Sequence, residues 1–454
     1  MSTPRERMHR QLADLDRVGS CARPIRIAAI REGAPAADRL LLVACKDRRS
    51  SVCPACSHTY KGDAWQVVAT GMRGGKGVPT EVARRPRVFV TLTAPSFGPV
   101  HSRDAGTTSS RPCRRSGTSR DQRCCRHGVR LACPAHHDPG DPLLGQPICP
   151  ACFDYPGAVL WNAHVSVLWQ RTAKRLVRAL ERRGDRGAPG GLRLSYVKAA
   201  EFQRRGLVHL HVVLRIDGEE GPDTPPPDWA TTAAVIEELA AVVPRVTTTI
   251  ATPAGSRSIG WGAQMAASGL ATGGPTAGGR TADGKVDGKV DGKVVDDDHQ
   301  MAVAAYVAKY ATKTADLTGA LAHRITSRAD IDHLEVSDHH RRLVATAWDL
   351  GTGELSFLGL RRCAHAFGYR GHVVTKSTRY STTFSALRGA RAEYRSHTRA
   401  AALEGDDLHF GYAGRGYDDP ATGLVAFHLA RLATMPAGPP TGNGNGAGNV
   451  GGVP

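Results

Sequence analysis

The chain has 454 residues and is 41% hydrophobic, enough to bury a full core in more than one domain. Its formal charge of +18 points to a polyanionic partner, although a composition rich in Arg and Ala drifts basic by itself. No apolar run approaches 18 residues and the N-terminus lacks a signal-peptide core, which argues against a membrane partner and predicts a cytoplasmic protein.

The first segment, residues 1–85, carries Cys21, Cys45, Cys53 and Cys56 and reads as a zinc-binding region. Arg87 to Thr93 reads as a buried strand that stops at Pro95. An insertion over 98–156 is rich in Arg, Cys and His. From Arg84 to Arg130 there are eleven Arg and two acids, a run suited to a phosphate backbone or to a solvated face. Apolar residues at Leu160, Val167, Leu168, Leu176 and Leu180 predict a helix over 157–183. Leu192 to Phe202 and Leu207 to Ile216 then read as two strands joined by a turn at 203–206.

Two segments are too polar or too simple to build a core, and both read as flexible linkers: 217–228, acidic and proline-rich, and 268–298, with Asp-Gly-Lys-Val repeated from Asp283, Asp287 and Asp291. Gly279, Gly284 and Lys285 have a phosphate-loop spacing, but Val286 stands where Ser or Thr is required and no strand precedes them. That argues against a nucleotide-driven helicase in this chain. A helix over 299–315 follows, then a basic region over 321–435 and a tail over 436–454 that reads as disordered. Arg361 to Arg399 holds nine Lys and Arg and one acid. Arg370, Lys376 and Arg379, with Arg204 and Arg205 of the turn, are the candidate DNA contacts.

Eleven cysteines in a reducing compartment favour metal binding over disulfides. Cys53-Pro-Ala-Cys56 and Cys149-Pro-Ala-Cys152 have the spacing at which two thiolates reach one zinc. Cys21 and Cys45 can complete the first site. For the second, Cys124 or Cys125, His127, Cys133, His136 and His137 are all available. Structural zinc is the reading, with free thiols as the plain alternative.

His209 and His211 alternate along an apolar stretch, so both imidazoles fall on one face of a strand and can hold a divalent cation. Glu201, on the partner strand, is the best third ligand and Gln203 the weaker one. Such a mixed shell suits Mg or Mn. Tyr306 and Tyr310 stand one helical turn apart, with Lys309 beside Tyr306 to stabilise phenolate or phosphate charge. Tyr306 is the expected nucleophile. Tyr310 either serves a second cleavage or simply packs on an apolar helix.

Phe89 to Thr93, Glu201 to His211 and Tyr306 to Tyr310, in that order, resemble the three motifs of rolling-circle replication initiators of the HUH endonuclease superfamily, in particular those of actinobacterial plasmids and integrative elements. The resemblance covers most of 20–400. It implies an α+β fold whose core is a five-stranded antiparallel sheet with helices (ferredoxin-like), within 86–320. It implies metal-dependent nicking at an origin, single-stranded or in supercoiled duplex, with strand transfer through a 5′-phosphotyrosine. His209 and His211 would be metal ligands, and Tyr306, with Tyr310, the attacking group. A host helicase and DNA polymerase are the implied partners. A relaxase or transposase could use the same chemistry. A non-catalytic zinc protein that binds DNA would explain the charge and the cysteines, but neither the histidines nor the tyrosines.

Overall fold

The computed structural model describes residues 3–31, 40–103, 112–114, 124–184, 191–270, 297–317, 324–397 and 408–434. In chain order the elements are α1 (Pro4–Arg17), β1 (Ile25–Arg31), β2 (Leu40–Val43), α2 (Pro54–Arg73), β3 (Arg87–Leu92), α3 (Tyr155–Arg183), β4 (Leu192–Phe202) and β5 (Val208–Gly218). There follow α4 (Thr232–Val242), β6 (Thr247–Thr252), β7 (Gly255–Gly260), β8 (Met265–Gly269), α5 (Asp297–Leu317) and α6 (Ala329–Asp332). The last are α7 (Asp338–Leu350), β9 (Val374–Lys376), α8 (Phe384–His397), β10 (Leu408–Arg415) and α9 (Pro420–Thr434).

The chain divides into two units, Met1–Thr59 with Leu403–Pro454, and Tyr60–Ala402. This differs from the expected division at 85 and 320. In the first unit β1 pairs on one edge with the four-residue β2 and on the other with β10, both antiparallel. The backbone groups of β1 need partners on both edges, and only the far end of the chain supplies the second. The first cysteine group lies in this unit, where Cys21, Cys53 and Cys56 join Val18 and Ala22 in a small core.

The second unit is built on a five-stranded sheet in the order β8-β3-β5-β4-β9, antiparallel throughout. The α+β architecture and five-stranded antiparallel sheet are as expected, and β4, β5, α3 and α5 fall within two residues of their predicted bounds. Period-two alternation sorts β5 between two cores. Val208, Leu210, Val212, Leu214 and Ile216 face the core that holds Leu160, Leu168, Leu176 and Leu180 of α3. Val213 lies in the other core, with Val67 and Val68 of α2 and Val303, Val307 and Ala311 of α5. His209, His211, Arg215 and Asp217 share the parity of Val213.

Two expected regions are corrected. The basic stretch from Arg361 belongs mostly to this unit: β9 pairs with β4, Leu387 of α8 enters the second core, and Arg391 binds Asp63 at 2.5 and 2.6 Å. Residues 217–228 are tied down where a loose linker was expected. Gly218 donates to the Thr224 carbonyl at 3.0 Å. Arg85 donates to the Gly221 and Pro222 carbonyls, and Arg379 to that of Glu220. Most of the repeat region, 271–296, and the tail from 435 lie outside the described residues.

Beneath the sheet, the fully buried Asp217 accepts from Arg215 at 2.8 and 2.9 Å, from Arg85 at 2.9 Å and from Ser195 at 2.6 Å. Arg215 also donates to the Gly71 carbonyl of α2 and to the Tyr380 carbonyl. Removing the carboxylate strands two buried cations. Asp217→Ala is therefore expected to cost about 3–5 kcal/mol. Arg328→Ala, which breaks the exposed pair with Asp349, should cost under about 1 kcal/mol. Denaturant titration of both variants checks the contrast; equal costs would contradict it.

Candidate active site and metal-binding clusters

The β4–β5 ladder sets Glu201 opposite His209, and the β3–β5 ladder sets Thr91 opposite His211. Between the strands the turn is closed by Gly206 donating to the Gln203 carbonyl at 2.8 Å and Gln203 to that of Leu207 at 2.9 Å. Gly206 has a φ of 76°, and a Cβ there would meet Leu343 at 2.3 Å, so the position requires glycine.

His211 is 2% exposed. Its Nε2 lies 3.2 Å from Glu201 Oε2 and its Nδ1 3.3 Å from Thr91 Oγ1. The His209 ring centre is 4.7 Å from that of His211, and its Nδ1 lies 3.3 Å from Gln203 Nε2. Both Nδ1 atoms thus have protein partners, and His211 Nε2 faces the Glu201 carboxylate, so of the two rings only His209 keeps an Nε2 with no hydrogen bond among the described residues. Burial first, then His211, push the His209 pKa down to about 4. His209 is neutral at neutral pH, the form that can donate a lone pair.

α5 brings both phenols to this face. Tyr310 stacks on His211 with ring centres 4.5 Å apart, and Tyr306 meets His211 edge-on at 5.4 Å and Tyr310 at 4.6 Å. Phe89 of β3 stacks on His211 at 5.9 Å and meets Tyr306 edge-on at 5.8 Å. Tyr306 is 42% exposed. Burial, then a hydrogen bond with Tyr306, raise the Tyr310 pKa. Lys309 is exposed, and among the described residues no hydrogen bond or ion pair joins its amine to either phenol.

The basic candidates separate clearly. Arg204 donates to the carbonyls of Asp141 at 3.1 Å and Pro139 at 2.6 Å. Arg205 donates to the carbonyls of Ala94 and Pro95 and to Gln203 Oε1. Lys376 caps the carbonyls of Ser377 and Thr378. These three, and Arg379 on Glu220, spend donors on main chain; Arg204, Arg379 and Arg370 are all exposed, and among the described residues Arg370 alone of the five makes no such bond. The sequence marks Arg204 and Arg205 only as cations; the carbonyls they hold come from distant segments.

Among the described residues, three groups gather ligand atoms within 4.8 Å of one another and could each hold a metal ion. His209, His211 and Glu201 are not among these groups. Cys21, Cys45, Cys53 and Cys56 form the first, as expected, with Sγ–Sγ distances of 3.7 Å (Cys45–Cys56) and 3.8 Å (Cys53–Cys21). Backbone N–H groups of Ala22, Cys45 and Asp47 point at three of the sulfurs. Cys149 and Cys152 join Cys125 and His127 in the second. Cys133 does not belong there: with His137 it joins His101 and Cys113 in a third. Cys124 and His136 are in none. His101 and Cys113 carried no knuckle spacing, and Cys133-x3-His137 was the only legible trace of the third group.

A folded pKa near 4 for His209 lies below its ordinary value of 6.5, so as pH falls through that window the unfolded chain takes up the proton first. The stability present above pH 6.5 from this group is lost towards pH 4. Histidine NMR titration should place the His209 midpoint near 4; a midpoint at 6.5 would mean that the ring is not desolvated.

The family model described as RepSA, replication initiator protein, pSAM2, matches residues 7–431. A replication initiator protein of Streptomyces ambofaciens is 40% identical over 413 residues, covering 86% of this chain and 80% of that protein. No solved structure matches. The match runs through both units and through the His and Tyr motifs: this chain belongs to the RepSA family of replication initiators.

Proposed function

We propose that this protein initiates rolling-circle replication by nicking one strand of origin DNA with Tyr306, in a core of the HUH type. The observation that carries the proposal is the meeting of His209, His211 and Glu201 of the sheet with Tyr306 and Tyr310 of α5 on one face. A relative named as a replication initiator supports the biological role.

Two imidazoles and a carboxylate suit a divalent cation such as Mg or Mn, and the fit rests on the Glu201 carboxylate facing His211 Nε2 and on the neutral His209 beside it. When bound, the cation would polarise the scissile phosphate. Tyr306 is the nucleophile in this reading, because its ring is the exposed one. Its oxygen forms a bond to phosphorus, the bond to the 3′ oxygen breaks, and the phenol proton leaves to solvent while the 3′ oxygen takes one up. The products are a 5′-phosphotyrosine and a 3′ hydroxyl that a host polymerase can extend behind a host helicase. Tyr310, packed on His211, can act on a second strand while Tyr306 is occupied. Arg370, exposed and with no main-chain bond among the described residues, is the first candidate phosphate contact of the five cations. The cysteine group at 21, 45, 53 and 56 and that at 125, 127, 149 and 152 hold structural zinc. Work on DNA places the protein in the cytoplasm, and among the described residues no helix is long and apolar enough to cross a membrane.

Denaturing gels of labelled single-stranded origin DNA test this. Wild type with manganese should give a covalent adduct. Tyr306→Phe and His209→Ala should each lower its yield about 100-fold or more, and Tyr310→Phe much less. An undiminished adduct in Tyr306→Phe would move the nucleophile to another residue, and no adduct under any condition would remove the nicking chemistry.

A further inference from the structure

The third ligand group, His101, Cys113, Cys133 and His137, sits in the insertion that precedes α3. His101 donates to the Gln146 carbonyl, Gly145 to that of His101, and Arg114 pairs with Cys133. His101 Nδ1 lies 3.2 Å from His137 Nε2 and 3.8 Å from Cys113 Sγ, and Cys133 Sγ lies 3.5 Å from His137 Nε2. A tetrahedral zinc with Zn–N of about 2.0 Å and Zn–S of about 2.3 Å puts its ligand atoms about 3.3–3.8 Å apart. The observed spacings follow that pattern. The second shell is present as well. Asp141 Oδ2 lies 2.6 Å from His137 Nδ1, which fixes the ring so that Nε2 faces the other three ligands. Asp141 Oδ1 in turn accepts from the Leu143 N–H at 2.8 Å, and the Ser102 N–H points at Cys113 Sγ at 3.3 Å.

The same short segment grips the β4–β5 turn. Arg204 donates to the carbonyls of Pro139 and Asp141. Gly145, with a φ of 87°, lies so close that a Cβ would stand 2.5 Å from the Arg204 carbonyl carbon. Next to Arg204 in the turn is Gln203, the residue against His209. Asp141 thus serves two ends: its carboxylate orients a ligand and its carbonyl anchors the turn.

We propose that His101, Cys113, Cys133 and His137 bind one zinc ion, separate from the group at Cys149 and Cys152, and that this ion fastens residues 138–145 to the β4–β5 turn. The centre is structural, since four protein ligands leave no open position.

Zinc content of the full-length protein tests the assignment without DNA, so it stands or falls separately from the nicking chemistry. Cys113→Ser should lose one zinc per chain relative to wild type, and adding Cys125→Ser should lose a second. His137→Cys, which substitutes a thiolate for an imidazole, should retain the full content. Should Cys113→Ser fail to fold, Asp141→Ala reads the same centre from outside: zinc affinity at one site should fall about 10–100-fold by chelator competition. Hydrogen exchange reads the fastening, with the Gly145 and Gly206 amides exchanging faster once this zinc is lost. Wild-type zinc content in a folded Cys113→Ser, or unchanged affinity in Asp141→Ala, would overturn the metal site. Loss of the zinc with no change at those amides would overturn its role at the turn.

Discussion

β5 lies between β3 and β4, and the register of those two ladders decides which side chains can meet. With Thr91 opposite His211 and Glu201 opposite His209, one face of the sheet receives both imidazoles, a hydroxyl and a carboxylate. A slip of one residue would carry His209 and His211 into the α3 core and expose Leu210 and Val212 in their place. The core on the far side therefore enforces the site: Leu210, Val212 and Leu214 are fully buried, so the register that hides them is the one that presents the histidines.

The ends of β5 are pinned by polar contacts of different kinds. At its C-terminal end, Arg215 and Asp217 tie β5 to α2, to Arg85 and to the loop before α8. At its N-terminal end, the turn is held by three segments: Arg205 donates to the carbonyls of Ala94 and Pro95, Arg204 to those of Pro139 and Asp141, and the turn's own Arg204 and Arg205 carbonyls meet the His340 and His339 rings of α7. The turn that carries Gln203 is thus anchored on several sides although Arg204 is exposed. Such support is what holds first ligands to a geometry.

Much of this was legible beforehand, because alternation and helical spacing are local. The strand pair 192–202 and 207–216, the helix carrying the tyrosines and the first cysteine group depend on neighbours in sequence or on a two-residue knuckle, and the structure brings them out as expected. What was not legible depends on long-range contacts. The pairing of β1 with β10 joins residues almost 400 apart. The division of the insertion cysteines into two groups is set by how a loop folds, so Cys133 and His137 read only as two of several candidates for the Cys149 site, while His101 and Cys113 gave no signal. The carbonyls that Arg204, Arg205, Lys376 and Arg379 hold were not legible either, because a cation has no sequence mark that tells a phosphate from a backbone carbonyl.

The central claim is that a tyrosine of α5 attacks DNA beside His211. Its most direct test is the identity of the adducted residue. Wild-type protein is incubated with manganese and single-stranded origin DNA, digested with nuclease and protease, and the nucleotidyl peptide is sequenced by mass spectrometry. The account predicts a phosphodiester on Tyr306, with any second adduct on Tyr310. A nucleotide found on another side chain, or no nucleotidyl peptide from a strand that has been cut, would contradict it.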